Sequence, residues 1–85
     1  MTTLYLVNRR DAASQLYDLL SAGDALVLCG DAVLCWQYPW PQEARLHVLA
    51  EDASARNLQL PATLPAIDYP ELVKLCESHT RVVAW

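Results

Sequence analysis

The stretch Ile67-Asp68-Tyr69-Pro70-Glu71-Leu72-Val73, running on to Arg81-Val82-Val83-Ala84-Trp85, decides the fold. It reads as a strand end, a capped helix and a final strand. Asp68 stands where an N-cap is needed and Glu71 follows three residues later, the spacing of a capping box. Leu72, Leu75 and Cys76 recur at helical spacing and share one face. Thr80 to Ala84 then switches to an apolar run, as the last strand of a covered sheet does, reaching an edge that another chain can occupy. Trp85 closes it, and a ring of that size in a tail that would otherwise fray must pack on something.

Working outward from this βαβ ending, the same alternation recurs. Thr3-Leu4-Tyr5-Leu6-Val7 is a compact β-prone run, and Asn8-Arg9-Arg10-Asp11 supplies side chains that start helices. From Asp11, Ala12, Leu16, Leu19 and Leu20 repeat at helical spacing, and Gly23 stands where a left-handed C-terminal residue is expected. Ala25-Leu26-Val27-Leu28-Cys29 is apolar on both faces, the mark of a central parallel strand, and Gly30-Asp31 turns into a short helical run from Ala32 to Trp36 that Pro39 and Pro41 end. Arg45 to Leu49 is the third strand. Glu51-Asp52 opens a helical turn with Arg56 four residues after Asp52, and Asn57 closes it. Leu58 to Pro65 reads as a loop before a very short strand at Ala66-Ile67. Five short strands alternating with helices predict one small three-layer α/β domain over residues 1–85, with a mostly parallel five-stranded sheet.

Composition narrows the function. With 54% hydrophobic residues, 19% charged and only two glycines in 85 residues, the chain is a folded module rather than a linker, and a partner that covers apolar surface would add stability to so small a core. The net charge is −4 and the most compact basic group is Arg9-Arg10, too little for a direct nucleic-acid binder. No apolar run reaches the roughly 18 residues of a membrane span, and Met1-Thr2-Thr3-Leu4 does not begin a leader, so the expected location is the cytoplasm. Three cysteines cannot all pair within the chain, and Cys29, Cys35 and Cys76 form neither CxxC nor a metal cluster with His47 and His79. No metal or cofactor is expected.

In open α/β sheets ligands bind beyond the carboxyl ends of the strands, here Asn8 to Asp11, Cys29 to Asp31, Glu51, Asp52 and Asp68. Each of these carboxylates also has a capping role, which is the favoured reading. A phosphate cradle would need a glycine-rich turn, and Gly30-Asp31-Ala32 offers one glycine beside an acid. Cys29 is the candidate thiol: a following helix N-terminus could lower its pKa and make it a persulfide carrier, while the plainer reading is a small buried strand residue. Trp36, Tyr38 and Trp40, clustered among prolines without basic neighbours, are better read as protein-interface anchors than as a base-stacking platform, and Trp85 joins them as an interface candidate.

The segments Leu4 to Asn8, Gly23-Asp24, Asp31-Ala32-Val33, Leu49-Ala50-Glu51-Asp52 with Ala55-Arg56 and Leu58, Ile67-Asp68-Tyr69 and Ala84-Trp85 together resemble the TusB/DsrH family, almost end to end. That family usually has Asp-Gly-Val where this chain has Asp31-Ala32-Val33, and the stretch Val33 to Arg45 is shorter than its members show. The resemblance implies a DsrEFH-like fold and a subunit of a sulfur-relay complex that serves tRNA thiolation or dissimilatory sulfur oxidation. It implies a heterohexamer of two copies each of three homologous chains, the partners being TusC/DsrF-like and TusD/DsrE-like subunits. In such complexes the central sulfur-accepting cysteine belongs to the TusD/DsrE-like chain. Some DsrH-like members carry a cysteine in the first helix, where this chain has leucine, near Leu16, and none of Cys29, Cys35 and Cys76 matches a family cysteine. The resemblance thus implies a structural, non-catalytic subunit, for wobble-uridine 2-thiolation first, with Cys29 as a persulfide carrier or service in sulfur oxidation as the alternatives.

Overall fold

A computed structural model describes residues 2–64 and 66–85. Five strands, β1 (Thr3–Val7), β2 (Ala25–Leu28), β3 (Arg45–Leu49), β4 (Ala66–Ile67) and β5 (Arg81–Ala84), form one sheet in the order β4-β3-β2-β1-β5, with every neighbouring pair parallel. Three α-helices, α1 (Ala12–Leu16), α2 (Ala50–Ala55) and α3 (Tyr69–Ser78), and two 3₁₀ segments, Tyr17–Leu19 and Gly30–Cys35, make the connections.

The strand order determines the layers. From β1 to β4 the chain steps across the sheet in one direction, so right-handed crossovers put α1, the 3₁₀ segments and α2 on one face. The step from β4 to β5 returns past β1 in the opposite direction, which puts α3 on the other face. Two separate clusters of buried side chains agree with this. One joins Tyr5, Val7, Leu26, Leu28 and Val48 to Ala12, Leu16, Val33 and Ala53. The other joins Leu4, Ala25, Val27, Cys29, Leu49 and Ile67, with Leu72, Leu75 and Cys76 of α3 against it. The central strand β2 is buried throughout, as its uninterrupted apolar run requires. Leu4, Leu16, Leu26 and Leu28 are fully enclosed, each worth about 1.5–3 kcal/mol relative to exposure.

The first helix is shorter than its periodicity predicts. After Leu16 the chain tightens into a 3₁₀ turn, and Leu20 is already extended at φ −75°, ψ 135°. The cause is Asp24, whose carboxylate accepts the Ser21 amide at 3.0 Å and the Thr3 amide at 2.9 Å, pulling residues 21–24 into a turn toward β1. Gly23, at φ +90°, serves that turn rather than a helix C-terminus, and a Cβ there would come within 3.2 Å of the Thr2 methyl. The run after Gly30 is 3₁₀ rather than α-helical.

Other local signals act as expected. Asp68 accepts the Glu71 amide at 2.9 Å and Glu71 accepts the Asp68 amide at 3.2 Å, a complete capping box. Asn57, at φ 55°, ends α2, with its amide on the Ser54 carbonyl and the Leu58 amide on that of Ala53, the paired bonds of a Schellman motif. Leu58 to Leu64 holds no helix or strand, and Pro65 of the expected loop lies outside the described residues.

Candidate functional site

The carboxyl ends of β1, β2, β3 and β4 bring Asn8–Asp11, Cys29–Asp31, Glu51–Asp52 and Asp68 to one rim of the sheet, as the alternation requires. The charges there are taken up locally. Arg9 pairs with Asp11 at 2.8 Å, which lowers the exposed Asp11 carboxyl from its ordinary value. Arg56 does not pair with the carboxylate of Asp52 four residues before it. It bridges to Asp31 at 2.8 Å and donates to the Asp52 backbone carbonyl at 3.2 Å. The Asp52 carboxylate is thereby free to accept the Gly30 amide at 2.7 Å, which ties the β2 turn to α2. Among the described residues no group of three or more His, Cys, Asp and Glu side chains is arranged to hold a metal ion.

Cys29 sits at the end of β2 on the α3 side of the sheet, buried in the second core cluster. Its thiol points at the Val27 carbonyl, 3.7 Å away. Burial pushes its pKa up, and the Asp52 carboxylate adds to the effect, to about 11. This is opposite to the lowering that a helix N-terminus would give: the segment after Cys29 is a 3₁₀ turn, and the nearby fixed charge is negative. Cys35 is half-buried with its thiol donated to the Arg10 carbonyl at 3.3 Å, and Cys76 packs from α3 onto the second core. All three sulfurs are unpaired.

On the same face, His47 of β3 lies in a groove with Ile67, Glu71, Lys74, Leu75 and Ser78. Its Nδ1 is buried without a hydrogen-bond partner among the described residues. Burial, with the charges of Arg45 and His79, holds its pKa below the ordinary 6.5. His79 caps α3, its Nδ1 lying 2.7 Å from the Leu75 carbonyl.

Trp36, Trp40 and Trp85 lie on the α1 and α2 side, half-buried against the first core, and Tyr38 is half-buried beside Trp40. Trp40 donates its indole N–H to the Cys35 carbonyl at 3.1 Å and stands edge-on to Tyr38 at 5.0 Å, which in turn meets Tyr17 at 6.2 Å. Trp85 meets Tyr5 edge-on at 6.4 Å and donates to the Gln15 side chain at 3.3 Å. Each tryptophan therefore seats part of its ring on its own core and leaves part uncovered.

A family model described as DsrH-like protein matches residues 8–82. The chain belongs to the DsrH-like family. This agrees with the resemblance carried by its sequence and makes it a protein of sulfur-relay type. The solution NMR structure of protein Tm0979 from Thermotoga maritima is similar to this DsrH-like chain at a TM-score of 0.71 with 22% identity, over 88% of this chain and 91% of that one, a likeness of fold. Comparison with curated proteins returns no match.

Two features of the DsrH-like chain escape its sequence. One is the His47 groove, whose only trace in the sequence is the helical spacing of Glu71, Lys74 and Ser78 along α3. The other is Tyr69, which lies near the strand-end acids: Glu51 first, then partial burial and Asp52, raise its phenol above the ordinary value. No helix among the described residues is long and apolar enough to cross a membrane.

Proposed function

We propose that this DsrH-like chain is a structural, non-catalytic subunit of a TusBCD/DsrEFH-like sulfur-relay complex serving 2-thiolation of the tRNA wobble uridine in the cytoplasm. Its partners are TusC/DsrF-like and TusD/DsrE-like chains in a heterohexamer, and it makes no direct contact with nucleic acid.

The observation that carries this reading is the state of Cys29. The thiolate is the nucleophile in sulfur transfer, and a thiol with a pKa of about 11, buried beside a carboxylate, is held protonated at neutral pH. The reacting sulfur then rides on a partner. Unpartnered apolar surface supports the subunit role: Tyr69, Val73 and Val82 are exposed on the α3 side, and Trp36, Tyr38, Trp40 and Trp85 are only half covered on the other.

Co-expression with the two partner chains should yield a stable complex that survives Cys29→Ala, with the thiolation of wobble uridine lost when the chain is deleted. A chain that ignores those partners ends the proposal. Retained thiolation moves the reading to sulfur oxidation. The position of Cys29 at a strand end favours the second reading, a persulfide carrier. Incubation with a persulfide donor would then add one sulfur to the wild type and none to Cys29→Ala.

A further inference from the structure

The two edges of the sheet differ. β4 is two residues long, too short to template another strand. β5 is longer and has no proline and no bulge to blunt its outer side, Arg81 being its one charged residue. In a parallel pair, the N–H and C=O of one residue point to the same side, and alternate residues point to opposite sides. The Arg81 amide bonds the Thr2 carbonyl at 3.2 Å and the Trp85 amide that of Leu6 at 2.8 Å, so residues 81, 83 and 85 face β1. The amides and carbonyls of Val82 and Ala84 therefore face outward, away from β1.

The side chains of this edge are complementary to themselves. Val83 and Trp85 lie on the first-core face, and alternation puts Arg81 there too. Arg81 is exposed and takes part in no ion pair among the described residues. Val82, paired in register with Leu4 of the second core, lies on the α3 face and is 43% exposed.

We propose that β5 pairs antiparallel with β5 of a second copy of this chain about a two-fold axis through Val83. In that register the outward groups of Val82 meet those of Ala84 of the second copy, and the reverse, so that all outward groups of both residues are satisfied. Val83 stands opposite Val83 of the second copy. Arg81 stands opposite Trp85 of the second copy on the same face, where a guanidinium can cover the uncovered side of the indole. Rotation repeats every contact, as a closed two-fold dimer demands. The sheet becomes continuous across both copies, ending at the short β4 on either side.

The test uses the isolated chain, so its outcome is independent of assembly with partner subunits. Sedimentation across a concentration series should show a dimer of twice the 9.5 kDa chain mass. Amide exchange read residue by residue should show Val82 and Ala84 protected in the dimer and released on dilution, while the Val83 and Trp85 amides stay protected through β1. Val82→Pro removes one outward N–H and leaves the bonds to β1 intact, so it should give a monomer in which Val83 and Trp85 remain protected. Arg81→Ala loses two cation–π contacts per dimer and should weaken association by roughly five- to thirtyfold. A chain that stays monomeric at millimolar concentration, or a dimer whose Val82 and Ala84 amides exchange freely, overturns the proposal.

Discussion

The buried carboxylate of Asp24, 5% exposed, accepts the backbone amide of Thr3 at 2.9 Å across 21 residues of sequence and the amide of Ser21 at 3.0 Å. One side chain thus ends the first helical segment, shapes the turn into β2 and holds the start of β1. Asp24→Ala leaves these amides without their acceptor. A loss of about 2–4 kcal/mol is expected in denaturant unfolding, with Asp24→Asn recovering part of it. A change below about 0.5 kcal/mol would show that the contact is incidental.

Thiol reactivity should follow burial. At mildly alkaline pH, alkylation monitored by peptide mass should modify the half-buried Cys35 and Cys76 before Cys29, whose thiol is held protonated to about pH 11. If Cys29 is labelled first, the strand end is open and its thiol activated, and the structural reading of this subunit is lost.

Stability should decline on mild acidification because of His47. Its folded-state pKa lies below the ordinary 6.5, so the unfolded chain takes up the proton first as pH falls. The contribution is complete above the unfolded value and is lost as pH drops through the folded one. Unfolding measured between roughly pH 7 and 5 should show stability rising with pH, and His47→Gln should flatten that slope. An unchanged slope in the variant would assign the effect to another group.

The capping box offers a smaller and more local effect. Asp68→Ala should cost about 1 kcal/mol, because the Glu71 amide loses its acceptor at the start of α3. Amide exchange should quicken in the first turn of α3 and not in β2. Uniform loosening of the whole chain would instead make α3 inseparable from the sheet.

Legibility tracked the range of the interactions. The capping box of Asp68 and Glu71 and the αL ending at Asn57 involve residues three to five apart, and both were readable in order. The length of α1 was not, because the acceptor that stops it lies in Asp24 and is held by Thr3 of another element. The Asp52 and Arg56 spacing suggested a helical pair, but Arg56 reaches Asp31 and Asp52 reaches Gly30, a cross-link visible only once the β2 turn and α2 are neighbours. The strand-end position of Cys29 followed from the alternation of elements. The direction of its pKa did not, since that depends on the packing of α3 over β2 and on the carboxylate of Asp52.

By itself the sequence determined the five strands, their alternation with helices and the apolar character of β2, because hydrophobic period and turn chemistry act over a few residues and survive without a partner element. Its motifs also determined the family. Tertiary structure alone decided which face leaves Val73 and Val82 uncovered and which way Cys29 titrates. Those properties belong to surfaces and local dielectric, which come into being only when distant segments exclude water from one another.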